Sequence, residues 1–219
     1  MRMSILLCAA TIGEIKPTLA YLKEQLPVSE VDVLITGVGL TATTYRLTRQ
    51  LISKRPELVI QAGVAGALNE GLALGEVVVV RSEAIGDEGV REKDQFLSLF
   101  QMNLALMQEF PWENSRLVNR WLEEGLAEGL RTVNGVSVNE VSTYGEQIVY
   151  YRKQLGADIE TMEGAALHYT ALMEGVPFLQ LRAISNYIGE RDKSMWKMAE
   201  AVSRLNEELQ KLLTKALAL

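Results

Sequence analysis

Three polar residues stand where apolar runs give out. Glu14 follows SILLCAA (4–10) after Thr11-Ile12-Gly13, Glu163 sits in Thr-Met-Glu-Gly-Ala-Ala, and Asn186 ends VPFLQLRAISN (176–186) behind Arg182 and Ser185. A carboxylate at such a place can serve as a general base. An amide donates and accepts hydrogen bonds but has no proton to give, so Asn186 is a reader of polar groups and not an acid. Each residue also has a purely structural reading. A glutamate in the first turn of a helix complements the helix dipole, and an asparagine at a strand end can be a turn residue or an N-cap.

The elements around these residues decide whether they meet. Strands are expected at 4–10, 31–37, 57–66, 75–85, 130–139 and 176–185, from apolar runs of strand length. Helices are expected at 14–26 (through Leu19, Leu22 and Leu26), 41–54, 116–129 and 144–155. A further helix begins at Met162 and is ended by Gly175, and a long amphipathic one runs from Lys193 onward with Leu205, Leu209, Leu212, Leu213 and Leu217 on one stripe. Residues 86–114 read as irregular. This order predicts an α/β fold with a mostly parallel or mixed sheet covered by helices on both faces, in one domain over 1–219. In open α/β sheets ligands sit outside the carboxyl ends of strands. Glu14, Glu163 and Asn186 all lie at or near such ends, so one cleft can gather them.

Composition narrows the partners. The 219 residues are 48% hydrophobic and 23% charged, with a formal net charge of −6. No basic stripe is available to neutralise phosphates, which argues against nucleic acid. Cys8 is the only cysteine, so no disulfide framework exists within the chain and a reduced, cytoplasmic setting is expected. Its apolar surroundings predict an inert thiol. MRMSILLCAATIGEI resembles a signal peptide superficially, but its apolar run is short and Glu14 follows at once; it reads as a core strand. No segment approaches the roughly 18 apolar residues of a membrane span.

Gly37-Val38-Gly39-Leu40-Thr41-Ala42 matches the dinucleotide-binding pattern G-x-G-x-x-A between a strand and a helix. That pattern needs an acid at the end of the next strand for a ribose hydroxyl. Glu57 precedes that strand, which ends in Gln61-Ala62-Gly63, and the glycines fall on the second strand rather than the first. A nicotinamide site is not expected.

Five ordered pieces carry a resemblance: AATIGEI, TGVGLTAT, QAGVAGAL followed by LGEVVVV, TMEGAAL and VPFLQLRAISN. Over nearly its whole length the chain resembles the nucleoside phosphorylase and nucleosidase superfamily. The resemblance implies a single-domain three-layer α/β/α fold with a twisted mixed central sheet, purine nucleoside phosphorylase-like. It implies a small-molecule nucleoside substrate, a homodimer or larger homo-oligomer, and neither metal nor organic cofactor. It places Glu163 on the ribose hydroxyls with Met162 beneath the sugar. It aligns Glu14 with the glutamate that activates water in the nucleosidase branch. Asn186 takes the place of the aspartate that protonates the purine at N7, with Ser185 orienting it. Val138 and Asn139 are expected to flank the purine.

The superfamily's phosphate-binding serine falls in a loop that here reads Gly63-Val64-Ala65-Gly66, without a hydroxyl, so Val64 and Gly66 are expected against substrate. A carboxylate at Glu14 repels phosphate and suits a water nucleophile. These departures favour hydrolysis, and Asn186 in place of an acid favours a 6-oxopurine. The run Ile184-Ser185-Asn186-Tyr187-Ile188 with Arg191-Asp192 and Trp196 is similar to that of futalosine hydrolases. An adenine-type thionucleosidase and a 6-oxopurine phosphorylase remain the alternatives. For an aromatic carboxylate beyond C5′, residues 96–102 are candidates for the apolar wall, equally readable as core or interface, and Arg91, Lys93 and Arg191 are candidates for the anion.

Overall fold

The computed structural model describes residues 3–25, 30–93, 95–122 and 126–218. Leu26, expected on the first helix, lies outside them. Strand β1 (Ile5–Ala9) leads into α1 (Ile12–Gln25), and β2 (Val31–Ile35) leads into α2 (Leu40–Ser53). Strands β3 (Leu58–Ala67), β4 (Val77–Ile85), β5 (Gly89–Glu92), β6 (Gln95–Ser98), β7 (Trp112–Glu113), β8 (Arg116–Val118) and β9 (Arg131–Ser137) follow. The described chain closes with α3 (Gly145–Lys153), β10 (Ile159–Thr161), α4 (Gly164–Glu174), β11 (Phe178–Tyr187) and α5 (Met198–Leu217).

Strand β1 shows why three layers form. It is buried throughout, and its side chains alternate. Ile5, Leu7 and Ala9 join Ile15 of α1 and Leu205, Leu209 and Leu213 of α5. Leu6 and Cys8 join Leu47 and Leu51 of α2 and Ala165 and Leu172 of α4. A strand apolar on both faces therefore ends up sandwiched between two helical layers.

The sheet is mixed. Strands β1, β2, β3 and β11 run parallel, β10 and β4 pair antiparallel with their β3 and β11 neighbours, and β9 is parallel to both β10 and β4. The pairings β3–β10–β9–β4–β11–β3 return to their starting strand, so the sheet curls back on itself beside the β1–β2 edge. Gly175 ends α4 in the left-handed conformation at φ 61°, as the sequence predicts.

The helix expected at 116–129 is absent among the described residues there, and residues 123–125 lie outside them. Residues 116–118 are a strand on the edge of β4. Tertiary bonds override helix propensity. Arg116 donates to Ser82 Oγ (2.7 Å), to the Ser82 carbonyl (3.0 Å) and to the Gly135 carbonyl (2.8 Å), while Asn119 Nδ2 donates to the Phe178 carbonyl at 2.7 Å. The stretch 86–114 is less irregular than its sequence suggests, since β5 and β6 pair within it and β7 closes it. The expected helix from Lys193 is broken into a 3-10 turn at Lys193–Met195 and α5 from Met198.

Candidate active site

The carboxyl ends of β1, β3, β10 and β11 open onto one cleft of about 380 Å³. Glu14, Val64, Gly66, Met162, Glu163, Ser185 and Asn186 all line it, with Thr11, Val38, Val141, Glu160, Ile188, Trp196 and Met198.

Glu14 is held on three sides. Thr11 precedes α1, and its N–H and hydroxyl donate to Glu14 Oε2 at 2.9 and 3.0 Å. The carboxylate's return to the Thr11 N–H is the acidic half of a capping box, and Glu14 lies in the first turn of α1, so its structural reading is also realised. The other oxygen, Oε1, accepts the Val64 N–H at 3.3 Å. Behind it, Asn206 of α5 donates to the Glu14 carbonyl at 2.8 Å and accepts from the Thr18 N–H at 3.0 Å. An unbroken helix would join those two groups to each other; here a side chain is inserted between them. Pro17 within α1 already removes one N–H from that ladder.

Glu163 does not cap α4 with its side chain. Its Oε1 accepts the Gly39 N–H at 3.1 Å, and its Oε2 pairs with Arg182 at 3.3 Å. The glycines that resemble a dinucleotide fingerprint therefore serve the acid. Gly37 and Gly39 adopt φ 79° and 95°, which turns the Gly39 N–H toward Glu163. Glu57, the acid such a fingerprint would need, instead accepts from the Ser4 N–H at 2.7 Å, before β3 begins.

Arg182 is 2% exposed and lies under the cleft. It donates to Gln61 Oε1 at 2.7 Å and to the Val64 carbonyl at 3.3 Å, besides its ion pair with Glu163. Gly63 lets it approach: a Cβ there would stand 2.5 Å from Arg182 Nη1 and 2.9 Å from Glu14 Oε1.

The strand end that carries Ser185 and Asn186 is bulged. Ile184 pairs with Ala65 and Asn186 with Gly66, leaving Ser185 as the extra residue. A bulge re-aims side chains, and here two consecutive residues face the same cleft. The Ser185 hydroxyl donates to Asn186 Oδ1 at 2.8 Å, and Asn186 Nδ2 donates to the Tyr187 carbonyl at 3.1 Å. With an acceptor on its nitrogen side, the amide presents its remaining N–H to the cleft.

Val138 and Asn139 do not line the cleft. Val138 is fully buried with Val136, Tyr151 and Ala157. The Asn139 N–H and Nδ2 donate to Asp87 at 2.5 and 3.1 Å, beside a separate depression next to α2. Val141 and Glu160 take their place in the wall. Residues 96–102 do not reach the cleft either: Phe96 packs on Tyr150 and Phe100 on Trp112 at 5.4 and 5.1 Å between ring centroids. Arg91 lies over Phe96, whereas Arg191 stacks over Trp196, which lines the cleft. Glu160 is the functional candidate that sequence reading missed. Its signal was its place in the run Glu160-Thr161-Met162-Glu163, all four of which line the cleft at the end of β10. Burial pushes its carboxyl up, Ser142 pulls the other way, and Asp87 adds to the rise.

Cys8 is buried, and desolvation pushes its thiol up to about 12, in keeping with an inert core residue. Among the described residues no group of three or more His, Cys, Asp or Glu is placed to hold a metal ion, and no helix is long and apolar enough to cross a membrane.

The family model of the phosphorylase superfamily matches residues 9–218, and the chain belongs to that superfamily. Among its relatives is the futalosine hydrolase of Thermus thermophilus, 32% identical over 185 residues, covering 83% of this chain and 80% of the relative. Another is the 5'-methylthioadenosine/S-adenosylhomocysteine nucleosidase of Haemophilus ducreyi, 29% identical over 162 residues, covering 71% and 67%. The fold matches the crystal structure of a Helicobacter pylori MTAN mutant with 5'-methylthioadenosine in its active site, at a TM-score of 0.81 and 18% identity, covering 98% of this chain and all of that one. Within the superfamily the chain is an enzyme of the N-glycosyl hydrolase class, as the relatives above are.

Proposed function

We propose that the chain is a futalosine hydrolase, which uses water to cleave the N-glycosidic bond of futalosine and releases hypoxanthine and dehypoxanthine futalosine in menaquinone biosynthesis. The observation that carries the choice of water over phosphate is the position of Glu14. Its carboxylate already occupies the Val64 N–H and both donors of Thr11, which are the groups an incoming phosphate would need. A dianion beside that carboxylate is repelled; a water is oriented by it.

In this reading Glu14 takes a proton from the water that attacks C1′. Glu163, locked by Gly39 and Arg182, accepts from the ribose hydroxyls over Met162. Charge develops on the departing base, and Asn186 Nδ2 donates to its 6-oxo oxygen. The proton for N7 comes from solvent, since an amide has none to give; Asn186 Oδ1 then has a lone pair free for the N7–H. Arg191, stacked on Trp196, is the best placed of the cations for a carboxylate beyond C5′. A homodimer or larger homo-oligomer belongs to the same reading, with Tyr45 and Ile52 of α2 exposed as an apolar surface for a second copy.

A nucleosidase acting on adenine-type thionucleosides would use the same two glutamates, but it would want an acid at position 186. The deciding experiment is chromatography of the bases released from futalosine, aminofutalosine, inosine and methylthioadenosine, with and without phosphate. Hypoxanthine from futalosine, indifferent to phosphate, is the expected result. Adenine from methylthioadenosine as the main product would replace this reading by the thionucleosidase one, and stimulation by phosphate would replace it by a phosphorylase.

A further inference from the structure

The proposed reaction leaves one acid of the cleft unused. Glu160 is 4% exposed. Its Oε1 accepts the Ser142 N–H at 3.0 Å, while its Oε2 and the neighbouring Ser142 hydroxyl are both left without a hydrogen-bond partner. A buried carboxylate oxygen without a donor is costly, and Glu160 is one of the residues that line the ligand-sized cleft.

Its register puts it opposite Asn186. Strands β10 and β11 flank β3, and Glu160 and Asn186 are both paired with Gly66. Two strand spacings separate their Cα atoms, about 9.5 Å. Side chains on one rung point to the same face, and both residues line the cleft. Gly66 between them has no side chain. A Cβ there would collide with Ile188 Cδ1 and stand 3.5 Å from Asn186 Nδ2. Ile188 covers the space over Gly66 and lines the cleft, an apolar floor between the amide and the carboxylate.

We propose that Glu160 is the residue that selects the base: its free carboxylate oxygen accepts the N1–H of a 6-oxopurine while Asn186 Nδ2 donates to O6. A 6-oxopurine presents an acceptor at position 6 next to a donor at N1. Adenine presents the reverse at both positions, so Glu160 faces its N1 lone pair with another acceptor. A site built to satisfy polar groups rejects a base that leaves them unpaired far more strongly than an apolar pocket rejects a change of size. The inference rests on the reading of the substrate as a 6-oxopurine nucleoside.

The test is Glu160→Gln in the full chain. Glutamine keeps an oxygen for the Ser142 N–H and turns the free atom from acceptor into donor. With futalosine and aminofutalosine as substrates, kcat/KM for futalosine is expected to fall about 10- to 100-fold, mainly through KM. The value for aminofutalosine is expected to hold or rise, so the preference collapses. An unchanged preference in a variant whose parent cleaves futalosine overturns the role of Glu160 and leaves the proposed function standing. If the parent cleaves no futalosine, the function falls and calorimetry with free bases decides the inference. Hypoxanthine binding at least about tenfold more tightly than adenine and 1-methylhypoxanthine, with the margin lost in Glu160→Gln, supports it. Should that variant not fold, equal affinity of the parent for hypoxanthine and 1-methylhypoxanthine overturns it.

Discussion

Asn206 holds Glu14 in place from behind, through its carbonyl and not through its carboxylate. The amide sits between the Glu14 carbonyl and the Thr18 N–H and also bonds the Thr18 hydroxyl at 2.7 Å. Asn206→Ala would strand buried donors and acceptors, at a cost of about 1–3 kcal/mol, or several degrees in Tm. Activity should fall about tenfold or more with little change in KM, because Glu14, the proposed general base, loses its bearing. Glu14→Gln sets the floor: it retains the Thr11 contacts and the fold, and should lose about 10²- to 10⁴-fold in kcat. Thermal unfolding and steady-state kinetics on both variants check this.

Asn186→Asp should move base preference toward 6-amino purines. An acid there supplies a proton to N7 and an acceptor for the amino group. A swing of about tenfold or more in the ratio of aminofutalosine to futalosine turnover is expected, read from the released bases. An unchanged ratio would remove the amide from the account of specificity.

Gly63→Ala should be far more damaging than its size suggests. The added methyl meets Arg182 Nη1 and Glu14 Oε1 at 2.5 and 2.9 Å, and Arg182 is held by Gln61, Val64 and Glu163. Overpacking of this kind costs about 1–3 kcal/mol, and displacement of Glu14 should remove most hydrolysis. A variant with parental kcat and Tm would show that the cleft floor is softer than its bonds imply.

His168 is the only histidine in the chain and is fully buried, its Nδ1 donating to the Leu117 carbonyl at 2.9 Å. Desolvation pushes its imidazole down to about 4, with the Leu117 bond opposing. Its folded value lies below the unfolded one, about 6.5, so the unfolded chain takes the proton first. His168 leaves stability untouched above about pH 6.5 and lowers it as pH falls toward 4, by about 2 kcal/mol at pH 5. Glu83 and Glu160, pushed up by burial, act in the opposite sense, so the comparison is with His168→Gln. Denaturant melts at pH 7 and pH 5 should show the parent losing more than the variant, and the single imidazole signal in proton NMR should stay at its neutral position from pH 8 to pH 5.

Glu14, Glu163 and Asn186 were readable because each breaks an apolar run at a strand end, and the sheet topology makes such ends converge. Val138 and Asn139 were misplaced because nothing local reveals that Asp87, more than 50 residues away, claims Asn139. The segment 116–119 carries a helical pattern, but Arg116 is drawn into carbonyls of β4 and β9, partners that no window of sequence contains. Nothing in the sequence separates Asn206 from the other polar residues that follow Lys193. Its function exists only where α5 crosses α1.

The bond from Asn206 to the Glu14 carbonyl spans 192 residues of chain. The glutamate proposed to activate water is thus synthesised 192 residues ahead of its anchor. A nascent chain lacking α5 can form β1 and α1, yet it has nothing to insert between Glu14 and Thr18. Competence for hydrolysis should therefore arrive as a late step of folding, when α5 docks, and a ribosome-bound precursor stopped before residue 206 should be inert even with every cleft-lining residue already translated.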